Sequence, residues 1–133
     1  MTKTDNRSRK SVTALSISGV SFATCCSGTK YENRDDLLLV VLDYGSYVCG
    51  CFTTSTMPSA PVVWSKKNIK KASNIKQQTI LLVNAGNANA FTGKDGLLAC
   101  KAKALALANI FQCDEKNIFF SSTGVIGEKL PYE

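Results

Sequence analysis

Near the C-terminal end of the chain, Ser121-Ser122-Thr123-Gly124-Val125-Ile126-Gly127 follows a short apolar run, Asn117-Ile118-Phe119-Phe120. The run reads as a buried strand entering a turn. A threonine beside a glycine can present a side-chain O–H and a backbone N–H in the same direction. Two convergent donors are what the developing oxyanion of an acyl transfer requires, so Thr123 and Gly124 are candidate catalytic groups. The plain alternative is an ordinary turn after a strand. A second unusual stretch is Asn84-Ala85-Gly86-Asn87-Ala88-Asn89-Ala90. Its small residues let the backbone pass close to another group, and each carboxamide offers a donor and an acceptor. Asn84, Asn87 and Asn89 are therefore candidates for contacting a polar substrate. Asparagine also tolerates left-handed turns, which makes a purely structural loop the competing reading.

The composition narrows the chemistry. There is no histidine among the 133 residues, which removes any Ser-His-Asp or Cys-His relay within this chain. A base would have to be a carboxylate, a lysine or an α-amine. No Gly-x-Gly-x-x-Gly run occurs, and Gly93-Lys94-Asp95-Gly96 is not a phosphate-binding P-loop. The six cysteines, Cys25, Cys26, Cys49, Cys51, Cys100 and Cys113, lack the C-x₂-C spacing and the histidines of zinc sites. They are expected to be buried reduced thiols. No metal and no cofactor is implied.

The net charge is +6, unevenly spread. Between Tyr44 and Lys94 there is no acidic residue, and Lys66, Lys67, Lys70, Lys71 and Lys76 are interleaved with Ser65, Asn68, Ser73 and Asn74. A cluster of this kind can track phosphates, which would make a nucleic-acid-binding module. The favoured reading is a solvated loop or surface helix. Residues 1–18 are expected to be a basic, flexible leader without the apolar core of a secretory signal. No run is long enough to span a membrane, and a cytoplasmic location is expected.

These candidates need elements to position them. Leu37–Leu42 is apolar at every position and reads as a central strand. With a turn at Asp43-Tyr44-Gly45-Ser46 and a returning strand from Tyr47 to Thr53, it predicts a hairpin. Residues 11–24 are expected to be extended, leading to a turn at Gly28, and Tyr31–Asp36 to be exposed. Pro58 and Pro61 are expected to forbid a helix through Ser59–Trp64. Thr79–Val83 predicts a third strand. Thr92 and Asp95 are spaced as a capping box for a helix from Gly96 to about Phe111. That helix carries Leu97, Cys100, Ala104, Leu107, Ala108 and Phe111 on one face, with Leu98 and Leu105 on a flank that is also covered.

The asparagine-rich stretch with Thr92-Gly93, followed one helix later by Ser122-Thr123-Gly124-Val125-Ile126-Gly127 and Leu130-Pro131, resembles the ArgJ family. These are the bifunctional ornithine acetyltransferases, or glutamate N-acetyltransferases, of arginine biosynthesis. Gly50-Cys51-Phe52-Thr53-Thr54 and Ser59-Ala60-Pro61-Val62, after Asp36-Leu37, fall in matching order and spacing. Ala85 and Phe91 depart from the serine and cysteine of the family pattern. The resemblance runs from about Gly19 to Glu133, as the N-terminal, α-chain-like part of the domain.

The resemblance implies an α/β fold, a sandwich of β-sheets and helices of the ArgJ/DmpA-like type, here truncated. It implies a reaction that moves acetyl from N2-acetylornithine to glutamate, with acetyl-CoA as a further donor in some members. Family members cleave themselves once, and the threonine freed at the new N-terminus becomes the nucleophile, its α-amine serving as base. Thr123 and Gly124 match the family's oxyanion hole. The cleavage motif, a Lys-Gly-x-Ala-Thr-Met run, does not occur in these 133 residues. The chain is therefore expected to be inactive alone. Activity would need a second chain or C-terminal part carrying the threonine, within a heterotetramer of two α and two β chains. A non-catalytic remnant or an interaction partner is the alternative. Strands such as Leu37–Leu42 are expected to lack partners and to expose apolar edges.

Overall fold

A four-stranded sheet in the order β1-β2-β3-β4 organises the molecule. Its strands are β1 (Val20–Cys25), β2 (Leu37–Leu42), β3 (Thr79–Asn87) and β4 (Ile118–Val125). The computed structural model describes residues 16–70 and 76–132. Most of the expected leader and Lys71 therefore lie outside the described residues. The first two pairings are antiparallel, and β3 and β4 run parallel. A parallel pair needs a crossover connection, which is α2 (Gly93–Phe111). The other helix, α1 (Ala60–Lys70), lies in the link between β2 and β3.

β2 is central, as its uninterrupted apolar run predicts, but its neighbours are not the expected ones. Residues 47–53 form no strand. Both hydrogen-bonding edges of β2 are already occupied, by β1 with Val20 opposite Leu42 and by β3 with Leu42 opposite Thr79. The turn at Tyr44-Gly45 exists, with Ser46 N–H donating to Asp43 O at 3.3 Å, yet the chain after it has no free edge of β2 to join. For the same reason Leu37–Leu42 exposes no edge. Asp36, expected at the surface, is buried. Its carboxylate accepts from Ser27 N–H at 2.6 Å and Ser27 Oγ at 2.9 Å. The Ser27 amide is the main reason its carboxyl sits below the usual range.

Pro58 and Pro61 do not exclude a helix. α1 starts at Ala60, with Val63 N–H donating to Ser59 O at 3.0 Å. Pro61 thus sits in the first turn, where an N–H would have no intrahelical acceptor. The helix closes the outer edge of β4 with side chains. Ser65 Oγ accepts from Phe120 N–H and donates to Phe120 O, both at 3.1 Å. Trp64 Nε1 and Asn68 Nδ2 donate to Ile118 O at 2.9 and 3.0 Å. An open edge is a template for unwanted pairing, and this one is blunted by a helix. Ser65→Ala leaves both backbone groups of Phe120 buried without these partners. Urea unfolding of the chain should show a loss of about 1–3 kcal/mol; an unchanged midpoint would refute this role.

The core lies between the helices and one face of the sheet, around Ile80, Cys100, Ala104, Ile118 and Phe120, with Leu39, Val41, Leu82 and Leu107 against it. α2 begins earlier than expected and without a capping box. Thr92 makes no cap bond, because its hydroxyl donates to Asn89 Oδ1 at 2.8 Å instead. The buried positions of α2 are Gly96, Ala99, Cys100 and Ala104. Leu97, Leu98 and Leu105 are exposed, so the apolar flank is uncovered. β4 continues through Thr123 and Gly124 to Val125; parallel pairing to an equally extended β3 carries the strand past the point where the serines suggest a turn. All six cysteines are free thiols, but only Cys100 is fully buried, and Cys25, Cys26, Cys49 and Cys51 are exposed.

Among the described residues the opposite face of the sheet carries no helix. Strand alternation and register put Phe22, Val40, Leu81 and Phe119 in one row across it. Phe119 is buried, whereas Phe22 is 57% exposed. Among the described residues this sheet face is open, and β1 ends the sheet with no strand paired to its outer edge.

Candidate functional site

Alternation along β4 decides what Thr123 and Gly124 can do. Ser122 stands opposite Asn84, and its Oγ donates to Asn84 Oδ1 at 2.6 Å on the helix side of the sheet. Thr123, one residue on, shares the opposite face with Ala85. In a parallel ladder, one set of alternate residues bonds the neighbouring strand and the other set points away. Ala88 N–H donates to Val125 O at 2.9 Å, which assigns the odd-numbered residues of β4 to β3. The even-numbered ones face outward, as the engagement of Ile118 O and of both Phe120 groups by α1 demonstrates. Gly124 belongs to that outward set and lies beyond the last α1 side chain in the series. Its N–H points out of the sheet edge at an exposed position. The Thr123 hydroxyl, also exposed, makes no hydrogen bond among the described residues.

Two glycines shape this corner. Gly86 and Gly124 are register partners, with φ of +104° and +136°. A Cβ on Gly124 would collide with the carbonyl of Gly86, and one on Gly86 would lie 2.7 Å from Lys30 Cβ. Lys30 Nζ in turn pairs with Glu128 at 2.9 Å. The approach of the two strands thus requires glycine at 124, while at 86 the space is taken by the side chains of Lys30 and Tyr31.

The three asparagines are buried, and their carboxamides bond within the chain. Asn84 Nδ2 donates to Asn87 O at 2.8 Å, and Asn87 Nδ2 to Glu128 O at 3.1 Å. Asn87 Oδ1 accepts from Asn89 N–H at 2.7 Å. Asn89 Nδ2 donates to Gly96 O at 3.0 Å, and its backbone carbonyl accepts Ala60 N–H at 3.1 Å. Asn84 thus ties to the residue before Thr123, Asn87 holds the turn after Gly124, and Asn89 joins the starts of both helices. Gly127 N–H closes the turn on Ala90 O at 2.9 Å.

The basic cluster divides by helical period. Ser65 and Asn68 face β4, while Lys66, Lys67 and Lys70 are exposed and pair with no carboxylate among the described residues. The edge-pinning Trp64, Ser65 and Asn68 were not foreseen as functional. Their only sequence signal is spacing on one side of a helix that the prolines obscure. Among the described residues no group of three His, Cys, Asp or Glu side chains could hold a metal. No helix among them is long and apolar enough to cross a membrane.

The model of the ArgJ family matches residues 21–133. The arginine biosynthesis bifunctional protein ArgJ of Nitrobacter winogradskyi is 47% identical over 114 residues, and that of Gluconobacter oxydans 41% over 117. The alignments take in 86% and 88% of this chain, which spans only 27% of the length of either relative. Among solved structures, ArgJ from Bacillus halodurans superposes with a TM-score of 0.77 at 32% identity, over 86% of this chain and 58% of that one. Ornithine acetyltransferase from Mycobacterium tuberculosis, solved with ornithine, gives 0.72 at 29%, over 86% and 61%. A family-model match over residues 21–133, with a mixed α/β fold shared with solved ArgJ structures, establishes that the chain belongs to the ArgJ family.

Proposed function

We propose that this chain is the oxyanion-binding portion of an acetyltransferase that moves acetyl from N2-acetylornithine to glutamate. The carrying observation is the pair of uncommitted donors at Thr123 and Gly124, one hydroxyl and one amide on consecutive residues at an exposed strand edge. The nucleophile is a threonine supplied by a further part of the protein, with its α-amine as base. Its oxygen attacks the acetyl carbonyl carbon, and the proton passes to the amine. The carbonyl oxygen becomes negative and is received by Thr123 Oγ–H and Gly124 N–H. Collapse of the adduct expels ornithine, which takes the proton, and leaves an acetyl ester. The amine of glutamate then attacks that ester through a second adduct stabilised by the same donors; its collapse breaks the ester C–O bond, the proton of the attacking amine passes to the threonine oxygen, and N-acetylglutamate leaves. Acetyl-CoA enters the scheme as an alternative acyl donor. No step uses a metal.

The sheet face that no helix among the described residues covers supports this reading. Thr123 lies on its side of the sheet, and a second layer packed over Phe22, Val40 and Leu81 would bring a nucleophile toward the free hydroxyl. The assembled form is then a unit of this chain and its complement, paired into a two-α, two-β complex. The test compares the purified 133-residue chain with the same chain co-expressed with the remaining three quarters of the family's length. Alone it should transfer no acetyl from N2-acetylornithine to glutamate; assembled it should. In the assembled form Thr123→Ala should lower kcat about a hundred- to a thousand-fold with KM little changed. Turnover by the chain alone, or an undiminished kcat in T123A, would refute the proposal.

A further inference from the structure

A cavity of about 360 Å³ opens on the helix side of the sheet, opposite the face that carries Thr123. Its walls include Leu82, Leu107 and Leu130, with the hydroxyl residues Ser27 and Thr29 and the side chain of Lys103 from α2. The volume falls within the range of small-molecule sites, and the mix of an apolar wall with a few polar groups is typical of them. Lys103 is the unusual member. It is half-buried, its Nζ lies 4.9 Å from the centroid of the Phe120 ring, and it forms no ion pair with any described carboxylate. The carboxylate of Asp36, just before β2, is held by Ser27. Burial pushes the Lys103 ammonium below the usual lysine range, with only the Cys100 thiol opposing. An ammonium set over an aromatic ring and against apolar surface, without an anion, is costly to maintain unless something supplies the negative charge.

We propose that this cavity binds a small monocarboxylate with an apolar body, its carboxylate on Lys103 and its chain against Leu82, Leu107 and Leu130. A single ammonium suits one negative charge; a phosphate dianion would bring more charge than the wall neutralises. The site is separate from the Thr123–Gly124 corner and does not depend on the catalytic reading. It communicates with that corner through Asn84, which lines the cavity and accepts the hydrogen bond of Ser122.

The experiment titrates the 133-residue chain with sodium hexanoate, with hexylammonium chloride and with inorganic phosphate, following amide shifts by NMR. Hexanoate should give saturable shifts at Leu82 and Leu107, while hexylammonium and phosphate give none there. Lys103→Met keeps most of the apolar stem of the side chain and removes its charge, so the fold should survive while hexanoate binding weakens tenfold or more. Ala106→Phe, at an exposed α2 position on the cavity wall, should block binding with Lys103 intact. Absence of saturable hexanoate shifts in the parent chain would overturn the proposal. Equal binding of hexylammonium would reduce the site to an apolar crevice, and equal binding of phosphate would reduce it to a general anion patch. Unchanged affinity in K103M would remove Lys103 from it. Each of these results refutes the assignment.

Discussion

Gly124→Ala in the assembled enzyme should lower kcat by at least about a hundred-fold, the scale of losing an oxyanion donor. The new methyl has nowhere to go. It would collide with the backbone of Gly86 on the partner strand, and the φ of +136° is one that L residues rarely adopt. Flexible side chains can swing away from a clash, but a paired backbone cannot. The strands must therefore part at the register pair Gly86–Gly124, moving the Gly124 amide away from Thr123. Gly45→Ala is the matched control. That glycine also has a positive φ, +85°, but open space around it, so its variant should pay only local strain of about 1–2 kcal/mol and keep its kcat. Steady-state kinetics on both variants, with circular dichroism to check folding, make the comparison. A Gly124→Ala enzyme within a few-fold of the parent would show that the amide takes no part in the reaction.

Asn89→Ala should be among the most destabilising single changes in the chain, by on the order of 3–5 kcal/mol. The side chain is 0% exposed and bonds to Gly96 O, to the Thr92 hydroxyl and, at 3.6 Å, to Cys100 Sγ. Truncation leaves the carbonyl and the hydroxyl buried without these partners, at about 1–3 kcal/mol for each group. It also puts alanine at φ 46°, where asparagine is better tolerated. Against a typical total of about 5–15 kcal/mol, this is a large share. Gly96 adds a constraint, because it packs directly on Asn89 and Thr92, so no larger neighbour can fill the gap. Equilibrium urea unfolding checks the figure; a loss below about 1 kcal/mol would mean that the loop holds itself without this carboxamide.

These two cases separate what local sequence carries from what it does not. The singular character of Asn84–Ala90 is plain in the residues, since small residues allow close backbone approach and the asparagines bring carboxamides that donate and accept. Whether those carboxamides face a substrate or the chain itself depends on Ser122, Glu128 and Gly96 arriving from other elements. The same holds for Gly124. Its identity hints at a special backbone, but the reason for it is Gly86, 38 positions earlier, brought opposite by the parallel crossover.

Apolar runs determined by themselves that Leu37–Leu42, Thr79–Val83 and Ile118–Phe120 are strands and that Gly96–Phe111 is helical, and composition excludes a histidine relay within these 133 residues. These depend on periodicity and composition, which act within a few residues. The motif order likewise carried the family. Partner choice was decided only in three dimensions. Residues 47–53 have a strand-like pattern but no free edge to join, since β1 and β3 occupy both sides of β2. Ser65 and Asn68 look like solvated neighbours of lysines until α1 lies along β4. Hydrogen-bonding edges and sheet faces can each be filled once, and which segment fills them is a competition across the whole chain that no local stretch records.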